Sequence, residues 1–322
     1  MMIEVSRPPE YARTGQIKKR DFGTALIHEH IRCASNDLIH TFGKKWLDEE
    51  YLIEFATDIL IGMREKYGLG LWVDGTSIDL GRNVSMLKEI SKRSGVFIVA
   101  STGLYHFPSC YTAEHSEEEI ASWFITEFEN GMENTGIKPG ILKGASDVLG
   151  VTKDNAKRLK ALAITQRETD LPLYIHSSHG ENLVDEQLKV LLGNVKKPEK
   201  IIIGHVANRP DVEYLKKILD RGCYIAMDQC HCTQYDLQDV GKVLVALCKD
   251  GYADRILLSN DLCIYTDFGS RKNTGFQLSV KEQIKRYGHL FNDVYDAFCE
   301  AGGNKDAFDK MLCKNSAEIL DV

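Results

Sequence analysis

The chain has 322 residues, 43% of them hydrophobic, which is enough to build one sizeable globular core. Its 47 acidic and 40 basic side chains give a net charge of -7, so the charge balance favours neither nucleic acid nor an anionic membrane as a partner. No apolar run reaches the roughly 18 residues of a membrane span, and the first twenty residues lack the apolar segment of a signal peptide. We therefore expect a cytoplasmic protein.

Eight short apolar runs recur along the chain, and segments with helical periodicity separate them. Continuous apolar runs are typical of strands that are buried on both faces of a parallel sheet. The runs occupy residues 22–28, 71–76, 96–102, 140–145, 173–178, 201–206, 223–228 and 255–261.

Helix signals lie between these runs. Ser116 and Glu119 form a capping box ahead of apolar residues at helical spacing, and Pro210 and Gly222 bracket another amphipathic segment. Strands that alternate with helices eight times predict an α/β protein, a single (β/α)8 TIM barrel over residues 1–322. A doubly wound open sheet is the alternative, but HEHIRC stands where such a fold favours a glycine-rich phosphate turn. Two irregular segments, about 31–50 and 262–276, would then be loops beside the substrate pocket.

Polar side chains stand at the carboxyl ends of five of the predicted strands, where TIM barrels build their active sites. Two histidines one residue apart end the first run and share a face. The complete set is His28, His30, Lys143, His176, His205 and Asp261. Each residue alone would more often be a core, cap or solvent-facing residue. Together, six such residues on one rim predict a metal site.

The number of candidate ligands favours two metal ions over one. Four imidazoles and a carboxylate exceed the three protein ligands of a usual mononuclear catalytic zinc site. Two divalent cations about 3.5–4 Å apart need a bridging anion. A lysine ammonium cannot bind metal, but if the buried neutral amine of Lys143 captures carbon dioxide, it becomes an N6-carboxylated lysine whose two oxygens can bridge two ions. Zinc is the expected metal, and manganese, cobalt or iron would also suit these ligands.

Nine cysteines without a regular spacing are typical of free thiols in a reducing compartment. Cys230, His231 and Cys232 form one dense group of potential metal ligands. Structural zinc normally needs a second ligand pair nearby, and none follows in the sequence, so no dedicated metal site is predicted there.

The motifs around these residues resemble those of the phosphotriesterase-related family of the amidohydrolase superfamily, which includes lactonases. The resemblance covers roughly residues 22–320. It is carried by LIHEH (26–30), VDGTSIDLGR (73–82), TGLYH (102–106), GILKGAS (140–146), LYIHSSH (173–179), IIIGHV (201–206), YIAMD (224–228), LLSND (257–261) and CKNSAEIL (313–320).

The resemblance implies a binuclear metal-dependent hydrolase whose bridging hydroxide attacks a lactone or carboxylic ester. It assigns the more buried metal to His28, His30 and Asp261, the more exposed one to His176 and His205, and the bridge to carboxylated Lys143. Asp261 would take the proton of the hydroxide, and Tyr105 matches a tyrosine that lies over the metals in the lactonases. Relatives are often homodimers, which makes a homodimer one possible state, although the sequence does not fix the subunit count. The expected partner is a small-molecule substrate.

The sequence departs from the family pattern at the proton relay. Organophosphate-degrading members carry an acid and a histidine where this chain has Asn208 and Gln229, and neither amide can titrate. Organophosphate or phosphodiester hydrolysis is therefore the alternative reaction. Gln229 stands where the lactonases often have arginine, so it is a candidate substrate contact. Arg271, next to Lys272, is another candidate for an anionic substrate such as a phosphorylated sugar lactone.

Two readings from other classes stay open. A lyase could form a Schiff base on Lys143, although four histidines would then have no role. A barrel with the same ligands could also bind a metal or a ligand without catalysing a reaction. Asp228, at the end of the seventh run, is expected to be a structural or outer carboxylate.

Overall fold

The structure is a computed structural model that describes residues 23–178, 183–268 and 275–321. Nine parallel strands form one curled sheet in the order β8-β7-β6-β5-β4-β3-β2-β1-β9. They are β1 (Thr24–Cys33), β2 (Leu69–Asp74), β3 (Phe97–Gly103), β4 (Ile141–Ser146), β5 (Leu173–Ser177), β6 (Ile201–Ile203), β7 (Tyr224–Met227), β8 (Ile256–Leu258) and β9 (Cys263–Thr266). All eight predicted runs contain a strand, and the predicted (β/α)8 TIM-barrel class is confirmed.

Helices connect the strands and cover the outer face of the sheet. In chain order they are α1 (Asn36–Phe42), α2 (Glu49–Tyr67), α3 (Val84–Ser94), α4 (Cys110–Glu114), α5 (Glu117–Asn130), α6 (Lys153–Thr169), α7 (Leu183–Leu192), α8 (Val212–Leu219), α9 (Leu237–Lys249), α10 (Val280–Tyr287), α11 (Tyr295–Glu300), α12 (Lys305–Asp309) and α13 (Asn315–Leu320). The predicted capping box of Ser116 and Glu119 starts α5, and Asp211 caps α8 directly after Pro210. None of the described helices is long and apolar enough to cross a membrane.

Both faces of the sheet are buried, as the continuous apolar runs predict. Trp72 packs in the layer between sheet and helices, while its neighbours Leu71 and Val73 pack inside the barrel. This alternation follows from the two-residue period of a strand. The inner layer is completed by Ala25, Ile27, Val99, Ile141, Tyr174, Ile202, Tyr224, Ala226 and Leu257.

The edges of the sheet are brought together by the chain itself. β8 and β9 lie at opposite ends of the strand order, yet only residues 259–262 separate them, and β9 pairs with β1 with Cys263 opposite His30. The expectation of an irregular segment from 262 to 276 was therefore wrong at its start, because the residues that pair with this strand are 233 positions away in sequence. The expected loop 31–50 also differs, since β1 runs to Cys33 and α1 follows.

A buried carboxylate fixes this junction. Glu29 is fully buried and accepts hydrogen bonds from Ser259 Oγ (2.7 Å), the Asn260 N–H (2.7 Å) and the Leu262 N–H (2.9 Å). Burial raises the pKa of Glu29 to about 8, although the three donors act in the opposite direction. The segment between β8 and β9 is thus held against β1 by one side chain.

Removing this acceptor should destabilise the protein strongly. Glu29→Ala leaves two backbone N–H groups and a hydroxyl without their acceptor, so we expect a loss of about 3–5 kcal/mol in the free energy of unfolding. Urea unfolding followed by circular dichroism measures it. The control is Glu213→Ala on α8, whose side chain is 80% exposed and should cost less than about 0.5 kcal/mol. Equal losses in the two variants would contradict this role.

Candidate active site

A β-bulge turns both histidines of β1 into the barrel. Leu26 pairs with Trp72 and Glu29 pairs with Asp74, so β1 has one more residue than β2 between these two pairs. The extra residue places His28 and His30 on the inner side and Glu29 on the outer side. Gly75 leaves the room that His28 needs, because a Cβ at this position would overlap the imidazole ring.

His28, His30 and Asp261 form the first donor group. Asp261 Oδ1 lies 3.2 Å from the Nε2 atoms of both histidines. Thr76 Oγ1 lies 2.9 Å from His30 Nδ1 and donates to the Arg32 carbonyl, so it accepts the Nδ1–H and orients the ring with Nε2 facing Asp261. Among the described residues, this is the only group of three metal-ligating side chains whose donor atoms lie within 4.8 Å of one another.

His176 and His205 form the second donor group. His205 Nδ1 lies 2.8 Å from Asp228 Oδ1, and Asp228 also accepts a hydrogen bond from the Tyr174 hydroxyl. His205 Nε2 then faces His176 Nδ1 at 2.8 Å. Burial, with a further contribution from His205, lowers the pKa of His176 to about 3, so this imidazole is neutral at neutral pH. The two ring nitrogens are thus within hydrogen-bond distance, and both are atoms through which an imidazole binds a metal ion.

Lys143 is a fully buried amine beside the first group. Its Nζ lies 2.9 Å from His28 Nε2 and 4.5 Å from the centre of the Tyr174 ring. The His28 ring stacks on the same Tyr174 ring at 3.9 Å. Burial lowers the pKa of Lys143 to about 8, so a substantial fraction of the amine is neutral near physiological pH. Its surroundings suit the capture of carbon dioxide.

A chain of two amides reaches Asp261 from the neighbouring strands. Gln229 Nε2 donates to Asp261 Oδ2 (2.6 Å), and Gln229 Oε1 accepts from Asn208 Nδ2 (2.5 Å). Neither amide titrates, as the sequence predicts. His205, Gln229 and Asp261 follow β6, β7 and β8, and each has a left-handed backbone, with φ of 64°, 59° and 57°. Such non-glycine conformers are uncommon and concentrate at functional sites.

Tyr105 lies over the second group. Its hydroxyl is 3.3 Å from His176 Nδ1. The Tyr105 backbone is held from both sides, because its N–H donates to Asp79 Oδ1 and its carbonyl accepts from the buried Arg158. Burial raises the pKa of Tyr105 well above its usual range, so the phenol keeps its proton and can donate a hydrogen bond.

The structure adds residues that the sequence analysis did not select. Asp147 directly follows β4, and its Oδ2 atom lies 3.1 Å from His106 Nε2 and 3.6 Å from His176 Nε2. The hydrogen bond with His106 holds the pKa of Asp147 well below its usual range. Its position after a strand was the available signal, the same one that selected the histidines. Asp228 hydrogen-bonds to the candidate ligand His205, which is the structural or outer role that the sequence indicated.

The two remaining candidates from the sequence are Arg271 and the cysteine and histidine group around Cys230. Arg271 and its neighbour Lys272 lie outside the described residues. Cys230 is buried, and burial raises the pKa of its thiol, which disfavours the thiolate that metal binding requires. All nine cysteines lie among the described residues and none is in a disulfide, as predicted.

Comparisons with known proteins find relatives over most of the chain. The model of the phosphotriesterase family matches residues 9–320. An aryldialkylphosphatase from Saccharolobus solfataricus is 32% identical and aligns with 80% of this chain and 82% of its own. An N-acetyltaurine hydrolase from Rattus norvegicus is 25% identical, with 95% and 96% covered. The solved phosphotriesterase from Mycobacterium tuberculosis superimposes with a TM-score of 0.83 at 28% identity, over 93% of this chain and 94% of that one.

The hydrogen bond from His205 to Asp228 should tune metal affinity. Asp228→Asn keeps an acceptor but removes the charge that orients His205, so we expect cation binding to weaken by about 10–100-fold. Competition with a chromophoric chelator measures the dissociation constants of the two ions separately. Asp239→Asn on α9, an exposed carboxylate, is the matched control. Unchanged affinity in Asp228→Asn would show that Asp228 does not orient the ligand.

Proposed function

The chain belongs to the phosphotriesterase family and is a metal-dependent hydrolase, and we propose that it hydrolyses a lactone or carboxylic ester with two bound divalent cations. One observation carries the proposal. Two groups of ligand atoms, one of three residues and one of two, converge at the carboxyl ends of the strands together with a buried lysine. This arrangement supports the donor set that the resemblance to a family of binuclear metal enzymes implies.

The residues fit two cations. His28, His30 and Asp261 would hold one, His176 and His205 the other, and the carbamate of Lys143 would join them. Zinc is the proposed metal, although imidazole and carboxylate ligands also suit manganese, cobalt and iron. When bound, the pair of cations would acidify a shared water and polarise the carbonyl oxygen of the substrate.

Asp261 is the proposed proton acceptor. Burial raises the pKa of Asp261, but His205 and His28 outweigh burial and hold the pKa well below its usual range, so the carboxylate is ionised. The amide of Gln229 fixes one carboxylate oxygen and leaves Asp261 Oδ1 beside the two histidines. The carboxylate can therefore take up a proton in a defined orientation.

Tyr105 is the proposed donor to the substrate oxygen. Its phenol keeps its proton and lies beside His176, a member of the second donor group. A hydrogen bond from this group would strengthen as negative charge develops on the carbonyl oxygen. Gln229 and Arg271 are the proposed substrate contacts, and Arg271 would suit an anionic group on the acyl or sugar part.

A lactone or ester is favoured over an organophosphate because the amides of Asn208 and Gln229 offer no titrating relay. Two relatives carry names for other reactions, the aryldialkylphosphatase and the N-acetyltaurine hydrolase. A dialkyl aryl phosphate and an N-acetyl amine are therefore the competing substrates in any test.

A substrate panel on zinc-loaded protein of measured metal content tests the reaction. It contains five- and six-membered lactones, an aryl acetate, a dialkyl aryl phosphate and an N-acetyl amine. We expect kcat/KM to be at least about tenfold higher for a lactone than for the phosphate or the amide. Asp261→Asn should lower turnover by about 10²–10⁴-fold, and Asp239→Asn should not. A preference for the phosphate or the amide would overturn the substrate assignment, and borohydride trapping of a ketone on Lys143 would support the lyase.

Carboxylation of Lys143 should increase with pH. The neutral amine is the reactive form, and with a pKa of about 8 its population rises about 25-fold from pH 6.5 to 8.5. We expect the carbon-13 carbamate signal to appear faster at pH 8.5 under a fixed pressure of labelled carbon dioxide. The fixed pressure is needed because dissolved carbon dioxide otherwise falls as pH rises. Lys143→Gln should give no such signal, and a signal of equal size in this control would place the label on other amines.

A further inference from the structure

Two thiols meet beside the first donor group. Cys33 ends β1 and Cys263 begins β9, and their Sγ atoms lie 3.5 Å apart. The strands that carry them are paired, with His30 opposite Cys263. The proposed hydrolysis uses neither thiol.

Both sulfurs lie at the wall of the active site. The pairing of Cys263 with His30 places the start of β9 directly beside the first donor group. Cys263 follows the candidate ligand Asp261 by two residues, and Cys33 follows His30 by three. Cys33 is buried and Cys263 is partly exposed, so a small reagent in the pocket has access to one member of the pair.

A disulfide would require the strand ends to move, because Cys33 lies opposite Thr266, three residues along β9 from Cys263. A disulfide needs about 2.05 Å between the sulfurs, so the two thiols must approach by about 1.5 Å. Rotation of the two side chains supplies part of this change, and the paired strand ends must supply the rest. The strand ends carry His30 and Asp261, whose donor atoms are 3.2 Å apart.

We propose that Cys33 and Cys263 form a modification site in which a peroxide converts the dithiol into a disulfide and thereby inactivates the site reversibly. One thiol attacks the peroxide O–O bond, which gives a sulfenic acid and one water. The second thiol then displaces the sulfenic oxygen as a second water while the S–S bond forms. The peroxide is reduced by two electrons, the two thiols are oxidised by two, and a dithiol reductant reverses the change. Formation of the disulfide does not depend on the proposed reaction. Only the expected loss of turnover rests on that proposal.

The test uses the full-length, zinc-loaded protein. Hydrogen peroxide at roughly tenfold molar excess is followed by alkylation, digestion and mass spectrometry. We expect a peptide pair linked through Cys33 and Cys263, lighter by two hydrogens than the two free peptides together and released by dithiothreitol. Turnover of the best panel substrate should fall at least about tenfold and recover with the reductant, since sub-ångström shifts of ligands are costly.

Matched variants separate this site from general oxidation. Cys33→Ser and Cys263→Ser should each lose the linked peptide and keep more than half of their activity at the same peroxide dose. Cys110→Ser, which removes an exposed thiol, should behave as the unaltered protein does. The proposal is overturned if both cysteines stay alkylatable while Cys110 is oxidised, or if the disulfide forms and turnover is unchanged. A linked peptide in a protein that hydrolyses no panel substrate would refute the proposed reaction and leave the modification standing.

Discussion

The carboxylate of Glu29 is the constraint on which the barrel and its site both depend. It points away from the two histidines that flank it and binds the turn between β8 and β9 through three donors. Two backbone hydrogen bonds complete the junction. The Asp261 N–H donates to the His28 carbonyl, and the His30 N–H donates to the Leu262 carbonyl. The bonds that join the sheet edges therefore also set the spacing of the first donor group, so barrel closure and ligand geometry are one property.

The strands and the six candidate ligands were predictable because both depend on local sequence. An apolar run indicates a strand that is buried on two faces, and a polar residue at its carboxyl end indicates a position at the rim of the barrel. The bulge in β1 was not predictable, because Ile27 and His28 lie on the same side without any change in the run ALIHEH. β9 was missed for a related reason. Its four residues have no period of their own, and their partner is a strand at the other end of the chain.

Some of the residues that contact the candidate ligands could be predicted from the sequence. Asp228 and Asp147 each stand directly after a strand, where a carboxylate can reach a histidine of the next unit. Thr76 could not be selected, since its importance lies in which nitrogen of His30 carries the proton. Asn208 and Gln229 were recognised as groups that cannot titrate. Their mutual hydrogen bond, and the one to Asp261, depend on backbone angles at the ends of β7 and β8 that the sequence does not encode locally.

Those backbone angles have an evolutionary consequence. The left-handed conformation at His205, Gln229 and Asp261 costs each non-glycine residue on the order of 1 kcal/mol relative to the ordinary regions of φ and ψ. Glycine at any of the three would recover part of that energy and would delete a side chain from the pocket. Selection for thermal tolerance and selection for turnover therefore oppose each other at these positions, and drift toward robustness would begin there if the reaction ceased to matter to the cell.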